Sequence, residues 1–344
     1  MSTKGLNDVA VIIVGFKNSD DIVLCLRSLR RLEPYPTFDV FIAENGGPEG
    51  LRALLAALTG GDVGCVPLPS ATGPVAARQT GPLHVFALQR EDGDEARVYV
   101  ARMEGNLGYA GGINAWLRPL LGEPGWSAAW ILNPDTEPFQ DTLAALSTSA
   151  RRRNKGMIGS CIVSASNPQK IATQGLEWRP WTASVRAVGR GDDVAFGDDF
   201  MKVESLISAP SGASIYVTRP LLEKIGLLED DYFLYYEDLE WGLKAKMLGQ
   251  LAYCHEAKVR HQQGTTIGSS SNRKERSSLS TYLLSRNLIL FVRRNFPRWM
   301  VWTIVAQTRV LAGYLVYRAW KNLALSFRGT MRGLSGEVGK PRDI

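Results

Sequence analysis

Residues 9–16, VAVIIVGF, are a continuous run rich in β-branched residues, the pattern of a strand buried on both faces of a sheet. Such a strand needs layers on both sides, which narrows the fold to an α/β architecture. The next residues agree. Asn18 to Asp21 form a polar helix start, Ile22, Leu26, Leu29 and Leu32 recur at helical spacing, and Pro34 and Pro36 end the run. A second strand over 38–43 stops at Glu44, Asn45, Gly46 and Gly47, and Leu51 to Leu58 is again helical. This β-α-β-α order implies parallel strands with right-handed crossovers.

Further along, 60–97 is rich in Gly, Pro and Thr with a charged patch from Arg90 to Glu95, and reads as a loop or hairpin insertion. A glycine-rich turn, GNLGYAGG, opens a helix over 105–121, and Ala128 to Leu132 is a short strand ending in NPDTE. Strands are expected at 157–163, 214–218 and 251–259, with helices at 219–225 and 235–248. Ligands of open α/β sheets gather beyond the carboxyl ends of strands, where Glu44-Asn45 and Asp135-Thr136-Glu137 fall.

Two acidic clusters stand out. Asp135 and Glu137 form an acid-x-acid pair suited to clamping a hard divalent cation, although such a triplet also serves as a solvated turn. Glu237, Asp238 and Glu240 either complement a helix dipole, with Glu240 paired to Lys244, or supply a general base in the partly apolar setting of FLYY. His261, after the expected strand at 251–259, is a candidate ligand, whereas His84 and His255 read as structural. No GxGxxG or GxxxxGK[ST] occurs, which sets aside two nucleotide-binding classes. The cysteines Cys25, Cys65, Cys161 and Cys254 form no CxxC or zinc-type spacing and read as reduced core residues. No secretory signal is expected at the N-terminus, so a cytoplasmic protein is.

Charge is unevenly placed. Residues 281–344 hold 11 Lys/Arg against 2 Asp/Glu, a formal +9, leaving −3 for the rest of a chain of net charge +6. The apolar stretch 299–317 is long enough to span a bilayer, but Arg309 at its middle costs roughly 2.5–3.5 kcal/mol on insertion. Helices lying on an anionic membrane surface over 281–330 are the expectation, with a homodimer interface or a packed subdomain as alternatives. The interleaved aromatics suit an interface better than nucleic acid, and no nucleic-acid partner is expected.

Taken in order, the stretches VAVIIVGFKNSDDIVLCLRSL, FIAENGG, GNLGYAGGINAWL, WILNPDTEP, SGASIYVTRPLLEKIGLL, YFLYYEDLEWGLKAKMLG, VRHQQGTTIG and SRNLILFVRRNFP resemble the inverting family 2 glycosyltransferases. The resemblance runs from about 9 to 297, outside 60–97. It implies a GT-A type nucleotide-diphospho-sugar transferase fold, a mixed, mostly parallel sheet flanked by helices, over 1–270, with a basic, amphipathic helical region over 271–344. It implies inverting transfer from a nucleotide-diphosphate sugar to a hydroxyl of a glycan or lipid-linked acceptor in cell-surface polysaccharide synthesis, at the inner membrane face. A catalytically silent scaffold of the same fold is the alternative. Mg2+ or Mn2+ would sit on Asp135 and Glu137 with His261. Asp238 would be the general base with Glu237 beside it, and Trp241 and Gly212 would meet the acceptor. Gly15, Glu44, Asn45, Asn106, Gly111, Gly112, Asn114 and Asp135 would contact the donor. The form EDLEWGLKAK is similar to rhamnosyltransferases and galactofuranosyltransferases, which points to a dTDP- or UDP-linked donor.

Overall fold

The computed structural model describes residues 6–61, 63–69, 74–195, 199–262, 276–341 and 344. The expected boundary near 270, and the end of VRHQQGTTIG, lie outside the described residues. The chain opens with β1 (Val9–Gly15), α1 (Ser19–Leu29), β2 (Phe38–Glu44) and α2 (Gly47–Thr59), as the alternation predicts. All seven residues of β1 are buried, consistent with about 1.5–3 kcal/mol for each fully buried Val or Ile side chain.

Next come β3 (Cys65–Pro67), β4 (His84–Gln89) and β5 (Glu95–Arg102). The charged patch is the turn of the β4–β5 hairpin, and β5 pairs parallel to β2, so the insertion widens the main sheet. Helix α3 (Gly108–Leu120) and strands β6 (Ala128–Leu132) and β7 (Thr136–Pro138) follow, then α4 (Thr142–Arg153), β8 (Met157–Ser164), β9 (Ile171–Thr173), β10 (Leu176–Arg179), β11 (Ser184–Ala187), α5 (Phe200–Leu206), β12 (Ser214–Thr218) and α6 (Arg219–Ile225). Last are α7 (Glu237–Met247), β13 (Leu251–His261), α8 (Ser278–Asn295), α9 (Met300–Val316) and α10 (Trp320–Ser335).

The main sheet runs β3-β4-β5-β2-β1-β6-β12-β8-β13-β7, and β9 joins β8. Strands β5, β2, β1 and β6 are parallel, β12 is antiparallel to both neighbours, and β8 and β13 are again parallel to each other. Helix α3 packs closely on β1: a Cβ on Gly112 would lie 2.7 Å from Cγ1 of Val14.

Helix α8 is largely buried between the body and the last two helices, with Leu283, Ile289, Phe291 and Val292 almost fully enclosed. It crosses α10 at a small-residue contact, where a Cβ on Gly329 would meet the Tyr282 carbonyl and one on Gly333 would lie 2.7 Å from the Arg286 carbonyl. The first C-terminal helix therefore covers core surface. No helix among the described residues is long and apolar enough to cross a membrane.

Candidate active site

Because β1 and β6 are adjacent and parallel, their carboxyl ends place Phe16 and Asn133 on one edge. The end of β2 adds Asn45, and the turn before α3 adds Asn106 and Tyr109. These residues line a cavity of about 280 Å³ that also reaches Asp135 and His261. Its floor is held by Asn45, whose Nδ2 donates to the Gly108 carbonyl at 2.9 Å, while Asn106 Oδ1 accepts from the Gly108 amide at 3.0 Å. Gly108 has φ +74°, and a Cβ there would collide with the Phe233 carbonyl, so this turn requires glycine.

His261 and Asp135 are brought together by the pairing of β13 with β7, in which His261 stands opposite Thr136. The Gln262 amide also donates to the Asp135 carbonyl at 3.1 Å. His261 Nε2 lies 3.1 Å from Asp135 Oδ1, and both side chains are mostly enclosed. One imidazole nitrogen and one carboxylate at a cavity wall suit a divalent cation whose other ligands are phosphate oxygens and water. Glu137 does not join them. Its carboxylate is 3.8 Å from Arg260, because residues on one strand pair with the register partner they face. Among the described residues, the group that brings three such ligand atoms within 4.8 Å is instead Glu229, Asp230 and Asp231.

The second acidic cluster sits on a strained turn. Phe233, Tyr235 and Tyr236 have φ of +67°, +69° and +79°, sparsely populated values for aromatic residues. The turn replaces the first residues of the helix expected at 235–248 and delivers Glu237 and Asp238 at the start of α7. Asp238 Oδ2 accepts from the Gly212 amide at 3.1 Å and Oδ1 from the Leu239 amide at 2.8 Å. Glu237 is buried, and its Oε2 has no hydrogen-bond partner. Burial pushes both carboxyls above their usual range, and the charge of Asp238 adds to the shift of Glu237.

Glu237, Asp238 and Gly212 line a second cavity of about 500 Å³, whose far wall is Leu284 and Leu288 of α8 with Gln307, Val310 and Tyr314 of α9. Tyr109, Asn133, Tyr235 and His261 line both cavities, which therefore adjoin. Tyr109 is near enough to both acid sites to feel their charges. Its hydroxyl donates to the Gly212 carbonyl at 2.6 Å, and burial, then the charges of Asp238, Glu237 and Asp135, push its phenol well up.

Several expected site residues do other work. Glu44 is buried, lines neither cavity, and accepts from the amides of Gly46 (2.7 Å) and Lys17 (3.3 Å). A Cβ on Gly15, Gly46 or Gly50 would press on its carboxylate, so these glycines make room for Glu44. Gly111 and Gly112 lie inside α3, against Leu107 and Val14. Asn114 bonds the Leu228 carbonyl (2.8 Å) and amide (3.2 Å). Trp241 is no open sugar platform: it is 1% exposed, and its indole N–H donates to the Gly226 carbonyl. Glu240 accepts from the Tyr232 hydroxyl and Asn295, not from Lys244. The four cysteines are all buried.

Conversely, Tyr109, Asn133, Tyr235 and Phe16 were not singled out by sequence reasoning. Tyr109 and Asn133 lie inside the GNLGYAGG and LNPDTEP stretches, and their placement on the walls of both cavities was the missing signal.

No family model matches the chain. It is 22% identical, over 69% of its length and 76% of the relative's, to the low-salt glycan biosynthesis hexosyltransferase Agl10 of Haloferax volcanii. The mannosyltransferase PcManGT from Pyrobaculum calidifontis, solved in complex with GDP-Man and Mn2+, superposes with TM-score 0.52 at 14% identity, covering 97% of this chain and 90% of that one. GalNAc-T7, solved with UDP, GalNAc and Mn2+, gives TM-score 0.52 at 14% identity over 83% of this chain, which spans about half (51%) of that one. The chain shares the GT-A type fold of these solved glycosyltransferases, its sheet mixed and flanked by helices and its C-terminal segment helical.

Proposed function

We propose that this protein is a metal-dependent, inverting glycosyltransferase related to family 2, moving a sugar from a nucleotide-diphosphate donor to a hydroxyl of a glycan or lipid-linked acceptor. The observation that carries the reading is that Asp135 lines one cavity and Asp238 the adjoining one, with His261 and Tyr109 lining both.

In this reading the nucleotide occupies the smaller cavity, against Phe16 and Asn45, with its diphosphate toward Asp135. A Mg2+ or Mn2+ ion held by Asp135 and His261 would offset charge on the departing diphosphate. The acceptor enters the larger cavity, and Asp238 takes the proton of its hydroxyl. That oxygen bonds the anomeric carbon from the face opposite the donor's C–O bond, which breaks and leaves nucleoside diphosphate. Burial makes Asp238 a stronger base than an exposed aspartate. Glu237 and Tyr109 shape its surroundings without meeting the reacting atoms.

The EDLEW form favours a rhamnose-like deoxysugar or galactofuranose on dTDP or UDP. GDP-mannose belongs in the same screen because a structural neighbour was solved with it.

Placement at an anionic membrane face is part of the proposal. Trp302, Val316, Tyr317, Trp320 and Phe327 are each more than half exposed on α9, α10 and the turn between them. Arg309, Arg318, Lys321 and Arg328 accompany them in a C-terminal stretch of formal +9. Apolar anchors among cations suit an anionic lipid surface.

The direct test is transfer assayed with UDP-, dTDP- and GDP-sugars in Mn2+, beside the Asp238→Asn variant. Metal-dependent transfer from one nucleotide class, abolished in that variant while donor binding persists, supports the reading. Full activity in the variant removes Asp238 from the mechanism.

A further inference from the structure

Arg286 and Asn287 of α8 lie in the stretch SRNLILFVRRNFP, and neither lines either cavity. Both are fully buried. A buried guanidinium and amide must find partners, and here these converge on the strained turn ahead of α7. Asn287 Nδ2 donates to the carbonyls of Tyr232 (3.0 Å), Leu234 (2.6 Å) and Tyr235 (3.1 Å). Arg286 Nη2 donates to the Tyr232 carbonyl at 2.9 Å, Nη1 to the Gly339 carbonyl at 2.7 Å, and Nε to Asn287 Oδ1 at 2.9 Å.

Backbone strain of this kind persists only where surrounding structure over-determines it. The turn is held at its other side as well: the Phe233 carbonyl accepts from the Tyr109 amide at 2.8 Å. Tyr109 bonds the Gly212 carbonyl, and the Gly212 amide bonds Asp238. A continuous set of hydrogen bonds thus links the α8 side chains to the carboxylate.

We propose that Arg286 and Asn287 are positioning residues that hold the 232–236 turn in the one shape that aims Asp238 into the acceptor cavity. This rests on the reading of Asp238 as the base. Neither residue touches substrate, so their loss acts on turnover and not on donor binding.

The test uses the full chain carrying Asn287→Ala. The expected result is a kcat lower on the order of a hundredfold, with the donor KM within about threefold of the parent. Hydrogen exchange would speed up at the amides of Tyr109 and Gly212 and stay unchanged in β1. Lower thermal stability with kcat intact well below the melting point would overturn the proposal, as would donor KM rising in step with the loss. If Asn287→Ala does not fold, Arg286→Lys, which keeps the charge but loses the fork, should show the same split on the order of tenfold. Should Asp238→Asn transfer as fast as the parent, the reading of the base fails. Exchange at Gly212 and Tyr109 in Asn287→Ala then still decides whether α8 holds the turn.

Discussion

The amide of Gly212 donates to Oδ2 of Asp238 at 3.1 Å, and a Cβ built on Gly212 would lie 2.8 Å from that same oxygen. The carboxylate is thus fixed by a backbone group that has no room for a side chain. Gly212→Ala is expected to push Asp238 off this bond and cut kcat by roughly ten- to a hundredfold. Donor affinity, read by calorimetry, should stay near the parent value, and an unaltered kcat would show that the contact does not orient the carboxylate.

Asp135 and His261 are 126 positions apart in the chain, yet their side chains lie 3.1 Å apart. Asp135→Asn and His261→Ala should each abolish the rise in melting temperature that Mn2+ and a nucleotide sugar together produce. That rise corresponds to about 2.7 kcal/mol when ligand is a hundred times its Kd. Glu137→Gln should keep it, since Glu137 faces Arg260.

Glu237 carries a pH prediction whose sign follows from burial. Its carboxyl is raised in the folded chain, so the native state holds the proton more tightly than the unfolded one. Stability is therefore lost as pH climbs from the ordinary glutamate value, about 4.3, through the higher folded value. Glu237→Gln removes that loss. Its melting temperature relative to the parent should climb between about pH 5 and pH 8, and a difference that stays flat would contradict the burial argument.

The outer face of α9 and α10 should bind anionic vesicles. Trp302→Glu with Trp320→Glu is expected to abolish co-flotation with phosphatidylserine vesicles while leaving kcat on a water-soluble acceptor unchanged. A shift from dimer to monomer in the same variant, with flotation intact, would assign the face to a second copy instead.

Removing the chain from Ser280 onward should not yield a soluble monomer. It would strip α8 from Leu239, Tyr232 and Trp178, which share a buried cluster with Leu288 and Phe291. Aggregation on expression, seen by size-exclusion chromatography, is the expected outcome.

Much of the fold was legible because hydrophobic periodicity is local. The β-branched run at 9–15, the helical spacing of Ile22 to Leu29 and the strand end before Asp135 each announced an element. Helix α8 falls mostly within the region expected as surface helices, yet it is buried nearly all round, and such a helix has little periodicity from which its burial could be read. Of the candidate residues read from turns at strand and helix ends, Asp135, Asp238 and His261 line the two cavities. Glu44, Asn114 and Trp241 instead bond the protein's own backbone. A polar or aromatic residue near a strand end bonds the backbone as readily as a ligand, and side-chain direction is not written in spacing.

The sequence by itself determined the α/β class, the order of its first elements and the two acidic clusters, because each depends on residues close in the chain. Only the tertiary structure decided that Asp135 meets His261 rather than Glu137 and that Gly212 holds Asp238. It alone also placed the bonds of Arg286 and Asn287 on the turn ahead of the carboxylates. Those pairings join residues far apart in sequence, and their geometry is set by strand register and helix packing, which no local pattern encodes.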